Sequence, residues 1–438
     1  MKKRNSVSKI LSFAVFILLA AGCKEEEHKI SNLPLTVAET EESDSDEIEH
    51  IAAIYRDIYA EAEETDAIGS LDAMCRILIR LGECGYSAVD SENQVNMTKP
   101  EQVMDFCKAA EEQKSAEVTI LVVTDSGLRK FDLKTEAGRI NVSREYYQYD
   151  ENGSLQSIDT ASYPADIWQF TEEGYFIFEG KYYSDINYVL TLSDKPEYTV
   201  LRVLPLDEAC REWNRKYILP AGYGKNNIFL SDWSEEDFGA LDLYDVFDIF
   251  YPSLYQKPVP YTADGNLNVG AVYQIPEDEF EPVILAHFNI DREILRTKTV
   301  YLPENAAYEY RPRGFYEVDY SELPYPEVVD YTENQDGTIT LLVNAVYPDG
   351  KTSKLFSHQT VIRPFRNEGE FGSADNAEVF LSGEDRFCYV SNQVIFSTMT
   401  EGTGKGQESL SAENANIFWW HSDRLTKEEW EEIYGGKE

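Results

Sequence analysis

Apolar residues recur at helical spacing soon after residue 46, on one stripe with charged residues on the other faces. The stripe of the first predicted helix, about 47–65, consists of Ile48, Ile51, Ala52, Tyr55, Ile58, Tyr59 and Ala62. The same three- and four-residue spacing predicts a second helix at about 71–82. A third is predicted to begin at Thr98, because Glu101 three residues later completes a capping box.

The period then changes from helical to alternating. Glu117–Asp125 is rich in β-branched residues, which is typical of a strand. Further strands are predicted at 128–133, 139–149, 154–160, 166–171, 175–183, 186–192 and 197–203. Because the links between them are short, neighbouring strands are expected to pair antiparallel, as a meander. With a helix at 206–217, this pattern predicts an α+β domain over 47–222.

The remaining residues predict a second α+β, β-rich domain over 223–438. Ser234 followed by acidic residues predicts a helix that ends near Phe250, and 277–296 is expected to be helical. Asp336-Gly337 and Asp349-Gly350 divide Glu327–Arg363 into three strands. Further strands are predicted at 376–381, 386–390 and 393–399. The predicted fold class is therefore α+β: N-terminal helices, an antiparallel meander, then a second helix-plus-antiparallel-sheet region.

The N-terminus has the pattern of a secretory signal, predicted at residues 1–22. Four basic residues flank the uncharged run Ile10–Ala21, which is shorter than the roughly 20 residues that a membrane-spanning helix needs. The run ends in Ala21-Gly22-Cys23, which resembles the lipobox of bacterial lipoproteins, with Ala20 where that family usually has Leu. The resemblance implies lipidation of Cys23 and anchoring at the extracytoplasmic face of the cell membrane. The alternative is an ordinary signal peptide with an incidental cysteine.

Charge changes the picture in two ways. Residues 24–49 carry ten acidic and two basic residues, so 23–46 is predicted to be a flexible acidic tether. The whole chain has a formal net charge of −41, which argues against nucleic-acid binding because no basic surface is visible. Solubility explains such a charge, and capture of cationic peptides or metal ions is the functional alternative.

The number and spacing of the cysteine and histidine residues argue against several kinds of functional site. Beyond Cys23 five cysteines remain, an odd number that gives no complete disulfide framework, and no C-x-x-C motif occurs. The five histidines are far apart and none lies in H-E-x-x-H, which excludes the zincin motif. No G-x-S-x-G sequence is present for a hydrolase nucleophile. We therefore predict no catalytic residue and no resident cofactor.

Two sets of residues are the remaining candidates for binding. Asp242, Asp245 and Asp248 follow i, i+3, i+6 spacing on the predicted helix, which places their carboxylates on a common side. A solvated acidic helix face accounts for them, with calcium binding as the alternative. Trp419 and Trp420 lie in the densest aromatic run, which would suit a glycan or peptide platform if it is not part of a core.

The full chain resembles uncharacterised surface lipoproteins of clostridia-type Gram-positive bacteria. The matching residues are the lipobox, then Gly85–Asp90, Asn96–Thr98 and the strand that starts at Glu117. This resemblance implies a location and no activity. The expected role is a non-enzymatic binding or accessory protein of the envelope, with a glycan, peptide or envelope protein as ligand. The alternatives are a carboxylate-dependent envelope hydrolase and a structural component of an envelope complex.

Overall fold

A curled sheet of seven strands, in chain order from β1 to β7, is the main element of the first half of the chain. The computed structural model describes residues 40–65, 67–150, 154–182, 195–261, 270–313, 324–349, 352–364, 386–395, 424, 428–429 and 432. The strands are β1 Ser87–Asp90, β2 Ala116–Val123, β3 Gly127–Glu136, β4 Arg139–Tyr149, β5 Leu155–Phe170, β6 Tyr175–Tyr182 and β7 Lys195–Arg202. Every neighbouring pair is antiparallel except β1 and β2, which are parallel.

The meander is confirmed, with two differences. The strands predicted at 154–160 and 166–171 are one continuous strand, β5, because a bulge near Ala165 bends it without breaking the pairing. The short parallel strand β1 was not predicted, since four buried residues show no period. The strand predicted at 186–192 lies outside the described residues.

Three helices cover the two faces of this sheet: α1 Thr40–Glu64, α2 Leu71–Glu83 and α3 Pro100–Glu111. Alternation along β2 explains why both faces are apolar. Val118, Ile120 and Val122 pack with α3, whereas Leu121 and Val123 pack with α1 and α2. The helices at 47–65 and 71–82 are thus confirmed, although α1 begins at Thr40, within the predicted tether.

The prediction of a capping box at Thr98 is wrong. The residue before α3 is Lys99, which has a left-handed backbone (φ 49°) and makes no capping hydrogen bond through its side chain. The Thr98 hydroxyl instead accepts a hydrogen bond from the Ala88 amide at 3.0 Å and donates to the Tyr86 carbonyl at 3.0 Å. A tertiary contact with β1 therefore replaces the local cap.

The second half contains four described α-helices, one π-helix, and two sheets. The helices are α4 Glu208–Trp213, α5 Leu243–Tyr255, α6 Glu277–Leu285 and α7 Arg292–Thr297, and the π-helix is Asn214–Ile218. The strands are β8 Trp233–Ser234, β9 Tyr273–Pro276, β10 Tyr301–Leu302, β11 Ala307–Tyr310, β12 Tyr325–Glu333, β13 Ile339–Asp349, β14 Thr352–Pro364 and β15 Phe387–Ile395. A five-stranded antiparallel sheet has the order β12-β13-β14-β15-β8, and a three-stranded one has the order β10-β11-β9.

The three strands predicted over Glu327–Arg363 are confirmed, and the two predicted at 386–390 and 393–399 are the single strand β15. The helix predicted from Ser234 is wrong, because Ser234 is in β8 and the helix begins at Leu243. That helix continues past Pro252 to Tyr255, and the predicted helix at 277–296 is two helices, α6 and α7. The strand predicted at 376–381 lies outside the described residues.

The two halves meet where the outer face of β6 and β7 contacts β12 and β13. Tyr175, Ile177, Val200 and Val346 form a small buried cluster there. The largest core draws its side chains from Cys210 to Tyr389, so α4 and the π-helix pack with the second half. The α+β fold class is confirmed, whereas the domain boundary at 222/223 stays a prediction.

Two further observations concern the predicted location and the cysteines. Among the described residues, no helix has both the length and the apolar character to cross a membrane. The five cysteines after Cys23 are all free thiols: Cys75, Cys84, Cys107, Cys210 and Cys388. Cys107, Cys210 and Cys388 are buried, where a thiol behaves as a small apolar group.

Candidate functional site

The three predicted aspartates lie at the start of α5. Asp242 is the N-cap residue, and its carboxylate accepts hydrogen bonds from the amides of Tyr244 at 2.9 Å and Asp245 at 3.0 Å. Asp245 is fully buried, and Asp248 follows one turn later. The expected solvated acidic face is therefore wrong, because this side of α5 faces protein.

Two arginines form ion pairs with the three carboxylates. Arg313 binds both oxygens of Asp245, at 2.7 Å from Nε and 2.8 Å from Nη2. Arg424 donates from Nη2 to Asp245 Oδ1 at 2.6 Å and to Asp248 Oδ2 at 2.9 Å. A buried bidentate pair of this kind is strong because both groups are removed from water.

Burial of this aspartate–arginine cluster changes its proton affinity. Burial, followed by the neighbouring Asp245 charge, raises the pKa of Asp242 to about 6. Burial also raises the pKa of Asp248. A calcium ion would have to compete with two guanidinium groups here. In the described part of the chain, no group of three or more His, Cys, Asp or Glu side chains is arranged to hold a metal. Calcium binding at these residues stays a prediction.

A cavity of about 340 Å³ lies at the carboxyl ends of β1 and β2. We call it the β1–β2 cavity; its lining residues are Gly69, Leu71, Met74, Asp90, Ser91, Glu92, Gln94, Val95, Asp125, Arg215 and Leu219. The carboxyl ends of parallel strands are a common place for ligands, because the chain leaves both strands there and the loops diverge. The volume falls in the range of small-molecule sites.

The loop that follows β1 forms one wall of the cavity, and hydrogen bonds to the Asp90 carboxylate fix its conformation. Asp90 accepts three backbone N–H bonds, from Glu92 at 3.2 Å, Gln94 at 3.0 Å and Val95 at 2.8 Å. Gln94 in turn accepts a hydrogen bond from Asn214 at 2.9 Å. The loop is thereby fixed to the π-helix on the opposite side of the cavity.

The π-helix places the one basic residue among the cavity's lining residues. Arg215 lies within Asn214–Ile218 and pairs with Glu208 at 2.9 Å. A π-turn inserts an extra residue into a helix, which re-aims the following side chains and is frequent at functional sites. Arg215 thus lines one cavity together with the three acidic residues Asp90, Glu92 and Asp125.

The chemistry available in the β1–β2 cavity is recognition by charge. Its lining combines the apolar side chains of Leu71, Met74, Val95 and Leu219 with three acids and one arginine. Burial raises the pKa of Asp90, but three backbone donors already occupy its oxygens. Among the described lining residues there is one hydroxyl, on Ser91, and no histidine that could serve as its base.

Two histidines pack among aromatic rings of the second half: His358, which is fully buried, and His287, which is partly exposed. His358 on β14 hydrogen-bonds through Nε2 to the Tyr223 hydroxyl at 3.0 Å and through Nδ1 to Thr360 at 2.8 Å and Asn392 at 2.9 Å. Burial lowers the pKa of His358 to about 3 and that of His287 to about 4. Both rings are therefore neutral packing groups.

The hydrophobic pattern and the motifs of the sequence do not reveal the β1–β2 cavity. A weak signal is present, because the apolar run Ser87–Val89 ends in Asp90 and a polar loop. The parallel partner of that run is 33 residues away, at Ile120, so its identity needs the tertiary structure. Cys23, Trp419 and Trp420 lie outside the described residues, and lipidation and ligand binding there stay predictions.

Comparison with known proteins identifies a family and no activity. None of the curated proteins and none of the solved structures matches this chain. A family model described as a family of unknown function, DUF6070, matches residues 41–403. Because that match covers most of the sequence and includes the curled sheet, the β1–β2 cavity and the five-stranded sheet, the chain belongs to the DUF6070 family of unknown function.

Proposed function

We propose that this protein is a non-enzymatic binding protein of the cell envelope, held at the extracytoplasmic face of the membrane through a lipid on Cys23. The β1–β2 cavity is its ligand site. The observation that carries the proposal is the cavity's lining, which combines apolar side chains with Arg215 and the acids Asp90, Glu92 and Asp125. Such a lining suits recognition of a small charged ligand.

The charges favour a ligand that carries a cationic group. Three carboxylates against one arginine leave an excess of negative charge, and Arg215 is itself paired with Glu208. An amine or guanidinium group would pair with Asp125 or Glu92, which are exposed. The negative charge of the whole chain would also raise the rate at which such a ligand arrives. A free amino acid or a short peptide end has the required amine and a carboxylate for Arg215.

A hydrolase is the second candidate, since three carboxylates line one cavity. Acid–base hydrolysis needs two carboxyl groups whose oxygens are available to substrate and water. Asp90 does not meet that need, because its oxygens accept three backbone N–H bonds. Incubation with glycans and peptides, followed by mass spectrometry of the products, distinguishes turnover from binding.

The binding test uses the full chain purified in detergent and a thermal-shift screen of lysine, arginine, their amides, neutral sugars and divalent ions. A ligand at 100 times its dissociation constant stabilises the folded state by about 2.7 kcal/mol. We expect cationic ligands to raise the melting temperature, and Asp125→Asn and Arg215→Gln to reduce that rise. Glu136→Gln, at an exposed turn away from the cavity, is the matched control. A rise that both cavity variants leave intact would contradict the site.

The anchor is tested separately by metabolic labelling with a fatty-acid analogue. We expect the wild-type chain to incorporate the label and to fractionate with membranes. Cys23→Ala should lose the label, whereas Cys84→Ala, which removes an exposed thiol on the folded part, should keep it. Retention of label in Cys23→Ala would refute lipidation at that residue.

A further inference from the structure

Among the residues that the structure describes, none pairs with the first half of β2 on one of its two sides. β3 pairs with the whole of β2, from Ala116 to Val123, whereas β1 pairs only with Ile120–Val123. Within the described residues, Ala116–Thr119 thus forms an edge. The cause is the turn before β1, where Gly85 has φ +97° and directs the chain away from β2.

The backbone groups of two residues point to this open side. Along a strand, successive residues direct their N–H and C=O groups to opposite neighbours. The Val123 carbonyl accepts from the Ser91 amide on the β1 side, and the Thr124 amide donates to Gly127 on the β3 side. Counting back in steps of two, Glu117 and Thr119 direct their backbone groups to the β1 side. The same count pairs the Thr119 carbonyl with the Ser87 amide of β1, so the open groups are the Thr119 N–H and both backbone groups of Glu117.

A groove of about 480 Å³ runs along this edge. It is lined by Gly85, Tyr86, Gln102, Asp105, Phe106, Ala116, Glu117, Val118 and Thr119. Its two charged lining residues, Asp105 on α3 and Glu117 on β2, are both acidic and exposed. The Lys134 ammonium on β3 lies 3.3 Å from the Glu117 carboxylate and offsets its charge. Asp105 therefore provides the remaining negative charge of the groove.

We propose that this groove binds an extended, basic peptide segment, which adds to the sheet as a strand beside Ala116–Thr119. The four residues offer about 13 Å of edge, enough for a strand of four or five residues. Hydrogen bonds to Glu117 and Thr119 supply affinity that does not depend on side chains, and the acidic groups select lysine or arginine. The groove is separate from the β1–β2 cavity, and this inference does not depend on the function proposed for that cavity.

The test measures binding of a fluorescent Lys-Val-Lys-Val-Lys amide to the full chain by anisotropy. Asp105→Asn removes the acidic charge that Lys134 does not neutralise, and we expect a few-fold larger dissociation constant. Glu117→Pro removes the open-side N–H while leaving the β3 hydrogen bonds in place, and we expect at least tenfold weaker binding. Glu236→Gln, which removes an exposed acid of the second half that lines neither cavity, should bind the peptide as the wild-type chain does.

A second measurement covers the case in which Glu117→Pro fails to fold. The same peptide with N-methylated backbone should not bind the wild-type chain, and the unmodified peptide should slow amide hydrogen exchange over 116–119. Equal binding of an all-glutamate analogue, or of the N-methylated peptide, would overturn the proposal. So would peptide-independent dimerisation that Glu117→Pro abolishes, because the occupant would then be a second copy of the chain.

Discussion

Arg202 on β7 forms an ion pair with Glu327 on β12, with 2.9 Å between Nη2 and Oε2. The two side chains are only 4% and 1% exposed. Arg211 from α4 lies 3.4 Å from the other oxygen of Glu327, and the Tyr175 hydroxyl donates to the same carboxylate. One buried acid thus joins the first sheet, α4 and the second sheet.

Removing that acid should strongly destabilise the chain. Glu327→Gln leaves the charges of Arg202 and Arg211 buried without their partner, which costs about 3–5 kcal/mol in comparable cases. Urea unfolding followed by far-ultraviolet circular dichroism measures the loss. The control, Arg56→Gln, breaks the exposed pair with Glu49 and should cause only a small change. Equal effects of the two variants would contradict a joining role for Glu327.

Asp242 should make stability depend on pH between about 4 and 6. Its folded pKa of about 6 lies above the unfolded value near 3.9, so the folded chain binds the proton more tightly in that window. Stability therefore falls as the pH rises through it. Asn at position 242 can still serve as the N-cap, but it does not titrate. Between pH 4 and pH 6.5 the free energy of unfolding of Asp242→Asn should therefore rise relative to that of the wild-type chain, on the order of 2 kcal/mol.

The measurement is the free energy of unfolding of both chains across pH 4–7. The control is Glu236→Gln, which changes an exposed acid before α5. Its free energy of unfolding relative to the wild-type chain should stay constant across this pH range. A constant difference between Asp242→Asn and the wild-type chain across this range would show that Asp242 does not titrate there.

Arg424 should stabilise the aspartate–arginine cluster at the start of α5. Its guanidinium bonds Asp245 and Asp248, and Nη1 donates to the Arg311 carbonyl at 2.8 Å. Arg424→Gln leaves the buried Asp245 and the partly exposed Asp248 with one fewer cation, so we expect a loss of about 3 kcal/mol in the free energy of unfolding. Arg311→Gln, which removes a half-exposed pair with Glu309, is the matched control. A smaller loss in Arg424→Gln than in the control would refute the role.

The buried His358 should lower the free energy of unfolding at acidic pH. The folded ring has a pKa of about 3, so between pH 6.5 and 3 the unfolded chain takes up a proton that the folded chain refuses. Stability is lost as the pH falls, by up to about 1.4 kcal/mol per pH unit. His358→Gln should reduce this slope. Phe229→Leu, which removes the ring stacked on His358, should lower stability and keep the slope.

The sequence allowed much of the fold to be predicted, because local pattern decides it. Helical stripes gave α1 and α2, and alternating residues with Asp-Gly turns gave β12, β13 and β14. Errors occurred where a distant partner outweighed a local preference. Thr98 bonds to Tyr86 and Ala88 in place of a cap, and Ser234 pairs with Ser391 in β15 in place of starting a helix.

The candidate sites show the same distinction between what local sequence predicts and what distant residues decide. Spacing alone placed Asp242, Asp245 and Asp248 on one side of a helix, and that much is correct. Whether that side meets water or protein depends on Arg313 and Arg424, which follow 65 or more residues later. The sequence could not supply that answer, because the free energy of a carboxylate depends on what surrounds it in space.

By itself the sequence determined the secondary structure of the longest elements, the acidic charge and the predicted address at Cys23. Only the tertiary structure decided which strands are parallel, which acids are buried and where the chain leaves an opening. The physical reason is range: a hydrogen bond within a helix or a turn joins residues a few positions apart. The β1–β2 cavity requires residues from 69 to 219 to meet at one place.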